Sequence, residues 1–176
     1  MTAVPPAAFA LFPTPIGNCA IVWGPDGVTG VQLPEGSVRA TRARTQRRFP
    51  GSCDSPPPPH VQQAIDGIVA LLRGEPADLS SIPLDMSTVP EFHRRVYHLA
   101  RRIPSGGTMT YGEMAARLGA PGSARAVGQA LGRNPFALIV PCHRVVAAGG
   151  KMGGFSANGG VATKLRLLAI EHAALF

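Results

Sequence analysis

An α+β fold is predicted, with a small β-rich N-terminal domain (residues 1–88) and a mostly helical C-terminal domain (residues 89–176) that holds a helix-turn-helix. Three observations carry this. Two apolar runs, Cys19-Ala20-Ile21-Val22-Trp23 and Val28-Thr29-Gly30-Val31-Gln32-Leu33, flank Gly24-Pro25-Asp26-Gly27 and read as a β-hairpin with a four-residue loop. From Glu91 onward Phe92, Val96, Leu99, Ala100 and Ile103 recur at helical spacing instead. Between Leu118 and Ser123 a glycine-bearing break separates two short helical stretches.

Element by element, residues 39–48 carry five arginines and no acid, which suits either a solvated helix face or part of a flexible interruption. Four consecutive prolines at 56–59 add a polyproline signal. Residues 61–72 show a helical apolar stripe that stops at Gly74 and Pro76. Residues 80–90 read as a linker in which Ile82 and Leu84 could form a short edge strand. The helix from Glu91 ends before Pro104-Ser105-Gly106-Gly107. A short helix over 111–118 follows, then a third helix capped by Ser123 and rich in small residues, Ala124, Ala126, Gly128 and Ala130. A glycine-rich stretch at 149–160 leads to a last helix over 163–174.

At 176 residues and 45% hydrophobic content, the chain can bury a real core. No window is apolar enough to span a membrane, and the start lacks the pattern of a secretory signal, so a cytoplasmic protein is expected. Three scattered cysteines, Cys19, Cys53 and Cys142, suit neither a disulfide framework nor a paired-cysteine zinc site and point to a reducing compartment. The formal charge is +7, and arginine supplies fifteen of the seventeen basic residues. Guanidinium groups match phosphate geometry, so nucleic acid is the expected partner; an arginine-rich solvated surface is the alternative.

The chemistry concentrates at Pro141-Cys142-His143-Arg144-Val145, reached through the apolar run Ala137-Leu138-Ile139-Val140. Hydrophobes feed cores and proline stops regular structure, so this looks like a polar pair delivered to a pocket floor. Adjacent residues diverge on a helix, so coupling between sulfur and ring needs a tight turn or a bridging water. The alternative is a small buried hydrophobe beside a satisfied histidine.

Together with Asn134-Pro135, Ser123-Ala124-Arg125-Ala126-Val127-Gly128, Thr110-Tyr111-Gly112 and Gly154-Phe155-Ser156, this motif resembles the O6-alkylguanine-DNA alkyltransferases. The resemblance covers the chain from Glu91 onward; the N-terminal part matches only as a short β-rich domain. It implies a ribonuclease H-like N-terminal domain, a helix-turn-helix of winged-helix type, and irreversible transfer of an alkyl group from guanine O6 to Cys142, with O4-alkylthymine as a further candidate substrate. A free thiol, with a pKa of about 8.5, is only a few per cent ionised at neutral pH, so a base is required. By the resemblance that base is His143 acting through water and oriented by Glu171, while Asn134 fixes the turn around the cysteine. Tyr111 would hydrogen-bond the leaving purine, with backbone groups of Cys142, Val145 and Ser156 completing base recognition and Phe155 in the pocket wall. Phe155 stands where many relatives have tyrosine, and Ala157-Asn158 alter the local spacing.

A stacked base hides its O6, so the resemblance also implies a flipped nucleotide in double-stranded DNA, with Arg125 entering the gap. Ser123, Ala126, Gly128 and Ala130 would lie along the minor groove, and Arg94, Arg95 and Arg133 are candidate phosphate contacts. A thioether is not readily hydrolysed, so each chain reacts once. Neither a cofactor nor a metal is required; Cys19, Cys53, His60 and His93 lack convincing zinc spacing. A monomer is the default. Two other classes compete: a Cys-His hydrolase, for which no oxyanion hole is legible, and a helix-turn-helix protein that binds alkylated DNA without reacting.

Overall fold

The computed structural model describes residues 7–174 of the chain. Its N-terminal half is built on a four-stranded sheet in the order β3-β2-β1-β4. β1 (Ala8–Thr14) pairs antiparallel with β2 (Gly17–Gly24), which pairs antiparallel with β3 (Gly27–Gln32). The hairpin loop is tighter than expected. Gly24 pairs with Gly27, so Pro25 and Asp26 alone form the turn, and the chain re-enters the sheet at Gly27 with a φ of +136° that favours glycine. β1 has no counterpart in the sequence reading because Pro13 interrupts its pattern. The proline is tolerated because the parallel strand β4 (Cys53–Asp54) pairs only with Ala8 and Phe9, leaving that edge of β1 free at Pro13.

The arginine-rich segment is a helix. α1 (Val38–Arg48) begins at Ser37, whose hydroxyl accepts from the Ala40 amide at 3.0 Å. Its buried face is polar: Thr41 and Thr45 pack inward, with Thr45 Oγ1 donating to the Thr41 carbonyl at 2.8 Å. That face carries no apolar stripe, and the arginines occupy the rest of the surface. α2 (Pro59–Leu72) opens with proline at its first turn, so the polyproline run ends in helix. Val61, Ala64, Ile65, Ile68, Leu71 and Leu72 are buried, as the stripe predicts. The 80–90 linker adds one parallel bridge, Val28 to Leu84, closed by Val28 N donating to Pro83 O and Asp85 N donating to Val28 O.

In the C-terminal half, α3 (Glu91–Ala100) and α5 (Ala124–Gly132) pack together, and the Tyr97 hydroxyl donates to the Ala130 carbonyl at 2.7 Å. α4 (Tyr111–Arg117) starts with a reciprocal capping box between Thr110 and Glu113, worth about 1 kcal/mol. The break at 118–123 turns the chain into α5, giving the expected helix-turn-helix. Ser123 occupies the cap position of α5 but makes no side-chain cap hydrogen bond; its φ of −95° and ψ of 24° are not the extended geometry that capping requires. α6 (Val161–Ile170) is shorter than the 163–174 expectation at its C-terminal end, and Glu171 is its C-cap. Buried residues from Ala10 to Leu167 form one continuous cluster across both halves. No helix among the described residues is long and apolar enough to cross a membrane.

A Cβ at Gly27 would lie 2.7 Å from the Pro83 carbonyl oxygen as well as straining φ. Gly27→Ala is therefore expected to destabilise the chain by more than about 1 kcal/mol, read as a lower urea midpoint at unchanged slope.

Candidate active site

The segment before the cysteine is held by its own side chains. Asn134 Nδ2 donates to the Val140 carbonyl at 2.9 Å while its Oδ1 accepts from the Phe136 amide at 2.9 Å. Val140 N donates to Phe136 O, and Leu138 sits at a φ of 71°, a cost normally reserved for functional turns. Pro141 then ends the run, and Cys142–Arg144 form one 3-10 turn. This is the tight turn that a Cys-His pair requires. β6 (Val145–Val146) follows at once and pairs in parallel with β5 (Met109–Thr110), so the residue after β5, Tyr111, comes down beside the cysteine.

Behind the cysteine lies a buried cluster of charges. His143 is 1% exposed, and its Nε2 donates to Glu171 Oε1 at 2.8 Å. Arg144 clasps the same carboxylate with Nη2 to Oε1 at 2.7 Å and Nε to Oε2 at 3.0 Å, and its Nη1 donates to the Ile103 carbonyl. Burial alone would raise the Glu171 carboxyl, but the bonds from His143 and Arg144 outweigh it and bring it down to about 2. Burial also pushes the His143 imidazolium down, against the pull of Glu171, so the ring is held neutral. With its proton on Nε2 facing the carboxylate, Nδ1 carries the free lone pair, and this buried atom has no protein partner. The buried, unprotonated Nδ1 is thus left without a hydrogen bond, on the residue directly after Cys142.

A second cation is buried in the same region. Lys164, fully buried, donates from Nζ to the carbonyls of Val145 at 2.6 Å and Met152 at 2.7 Å, with Gly154 O and the Tyr111 hydroxyl each at 3.4 Å. Burial lowers this ammonium to about 8, partly offset by the charge of Cys142. Burial raises the Cys142 thiol, while the Asn134 side chain and the Lys164 charge pull it back. Tyr111 is raised by burial and then by Cys142, so its hydroxyl stays protonated.

Cys142 is half-buried and lines a cavity of about 670 Å³ together with Tyr111, Arg125, Gly128, Phe155 and Ser156. Among the residues expected at the base and DNA sites, Tyr111, Arg125, Gly128, Phe155 and Ser156 line this cavity with Cys142, while Ser123, Ala126, Ala130 and Val145 do not. Ala130 is 0% exposed: it lies on the core face of α5 with Val127 and Leu131, beneath Tyr97, and is not available to a ligand. Ala124, on the cavity lip, takes the place that the small-residue pattern assigned to Ala130. Val145 does not line the cavity; it is fully buried, and its carbonyl is engaged by Lys164. Ser123 is half-buried at the start of α5, Ala126 half-buried and Arg125 exposed. At Gly128 an added Cβ would lie 3.9 Å from the ring of Tyr111, an ordinary contact, whereas at Gly153 it would lie 2.7 Å from the Tyr111 hydroxyl.

The sequence reading assigned no role to Arg144 or Lys164. A signal for Lys164 existed: it is one of only two lysines, and it shares a helical face with Leu167, Leu168 and Glu171.

Residues 91–173 match the family profile of the 6-O-methylguanine DNA methyltransferase DNA-binding domain. Over 161 residues the chain is 40% identical to the methylated-DNA–protein-cysteine methyltransferase of Methanothermobacter thermautotrophicus, an alignment that covers 92% of this chain and 83% of that protein. The chain belongs to the methylated-DNA–protein-cysteine methyltransferase family. The Mycobacterium bovis methyltransferase is 36% identical over 158 residues, covering 90% of this chain and 88% of its own. The fold agrees. The crystal structure of Mycobacterium tuberculosis OGT in complex with DNA superposes with a TM-score of 0.76 at 34% identity, covering 94% of this chain and 92% of that one. The likeness therefore extends well beyond the Glu91-onward region in which the motifs lie, into the β-rich half. Membership makes this chain a methyltransferase that acts on methylated DNA in direct-reversal repair.

The charge cluster gives a pH dependence with a defined sign. The folded-state pKa of Glu171 lies below the unfolded value of about 4.3, so its contribution is complete above that value and is lost as pH falls toward about 2. Glu171→Gln leaves Arg144 buried without its counter-charge. It is expected to cost about 3 kcal/mol at neutral pH and to flatten the acid limb, measured by urea denaturation across the acid range.

Proposed function

We propose that Cys142 removes the alkyl group from O6-alkylguanine in double-stranded DNA, once per chain. The observation that carries this is a half-buried thiol opening on a base-sized cavity, backed by His143 and Glu171 and faced by Tyr111. The thiol proton passes through a water molecule to His143 Nδ1, and the imidazolium formed is stabilised by Glu171. The thiolate, faced by the Lys164 ammonium, attacks the saturated carbon on O6. As that bond breaks, the electron pair leaves on guanine, where the Tyr111 hydroxyl offsets the developing charge. Asn134 keeps the turn in place. The product is a thioether, which water does not release, so the protein is consumed.

Access to the base requires flipping it out of the stack. Arg125, exposed at the cavity lip, fills the gap, and the half-buried Ala126 and Gly128 let α5 approach the minor groove. Ser123 sets the start of that helix, and Phe155 with Ser156 forms the far wall of the base site. In this reading residues 1–88 are a ribonuclease H-like domain and residues 89–176 a winged-helix type of helix-turn-helix domain. The protein works as a cytoplasmic monomer, and the displacement needs neither metal nor cofactor.

Incubation with a duplex containing O6-methylguanine, followed by intact mass, tests the proposal. One methyl group per chain is expected, with no further turnover in excess DNA and no gain in Cys142→Ala. Tight binding of the alkylated duplex with no change in mass would instead identify a non-reacting damage binder.

A further inference from the structure

The base-sized cavity is not alone in opening on the sulfur. A second cavity, of about 370 Å³, reaches Cys142 from the N-terminal side, between α1, β3 and the turn after α5. The two share Gly132, Cys142, Phe155 and Ser156 as a common wall. That wall is open at Gly132, where a Cβ would meet no heavy atom within 4 Å. A chain attached to the reacting carbon could therefore continue past the sulfur into the second space.

The chemistry of that space is asymmetric. Its lining joins the apolar Ala137, Phe155 and Ala157 to Arg44, Arg48 and Arg133, which stand against one carboxylate, Glu35. Glu35 Oε1 lies 3.8 Å from Arg44 Nε, and Arg48 Nη1 donates to Gln32 Oε1 at 2.7 Å. Three guanidinium groups and one carboxylate leave two positive charges unmatched within the cavity wall. Burial, then the neighbouring charge of Arg44, lowers Arg48, as expected for cations crowded without enough anions.

We propose that this second cavity is a subsite for the tail of long O6 adducts and that it selects tails ending in a carboxylate. The inference rests on the alkyl-transfer reading. The Cys142 thiolate attacks the CH2 bound to O6, the carbon–oxygen bond breaks, and the electron pair leaves on guanine. Guanine takes up the proton that the thiol released, and the tail remains on sulfur as a thioether with its carboxylate among the arginines. A backbone phosphate is the other anion these arginines could meet, but it would favour every alkylated duplex alike. A tail subsite favours only substrates that carry the charge.

The test compares single-turnover rates on three duplexes, bearing O6-methylguanine, O6-carboxybutylguanine and its neutral carbamoylbutyl isostere. The carboxylate should react about tenfold faster than the amide, the value of one charge-assisted hydrogen bond. Arg44→Gln, at a side chain 49% exposed, should erase most of that preference and leave methyl transfer unchanged. Arg48→Gln should do the same. Absence of methyl transfer would defeat the alkyl-transfer reading itself. Intact methyl transfer with no carboxylate advantage would overturn the subsite alone, and so would a uniform slowing of all three substrates by Arg44→Gln, the signature of phosphate contact.

Discussion

A single carboxylate withdrawn from water organises this molecule. Glu171 accepts from both His143 and Arg144, and the three side chains tie the end of α6 to the turn that carries the reactive thiol. Arg144 also reaches the Ile103 carbonyl after α3, so the same ion pair fixes a third element. Buried ion pairs seldom add much net stability, because desolvation consumes the Coulombic gain. Here the pair serves position. It sets which imidazole nitrogen bears the proton and leaves Nδ1 as the one with a free lone pair.

The charge balance around the thiol has a second consequence. Arg144 and Glu171 cancel, whereas Lys164 is buried with only neutral carbonyls and a phenol for partners. One uncompensated positive charge therefore stands beside Cys142. Burial disfavours both the ammonium and the thiolate when each is considered alone, yet each is the other's counter-ion. The charge of each therefore partly offsets the burial penalty of the other.

Much of this was legible in the residues, and the failures have physical causes. Helical spacing located α2, α3 and α5, and the Cys-His motif with its flanking residues led to the cavity. β1 was hidden by Pro13, which a strand tolerates only where its neighbour stops short, a fact of pairing that no local pattern contains. α1 stayed open between a solvated helix face and a flexible interruption because threonines, not hydrophobes, form its buried face. Ala130 was misplaced because a small residue suits close approach to DNA and close approach to Tyr97 equally well. Arg144 and Lys164 were passed over for a related reason: charge is read as surface until a partner is known, and their partners lie far away in sequence or on the backbone.

The sheet of the first half does not end at its own edge. Val31 of β3 bridges to Phe136, and its amide donates to the Pro135 carbonyl at 2.8 Å, seven residues ahead of Cys142. A continuous hydrogen-bonded framework thus runs from the hairpin into the strained loop around Leu138. The first half is a buttress for the Cys142 turn rather than a passenger, and residues far from the cavity share in aiming the thiol.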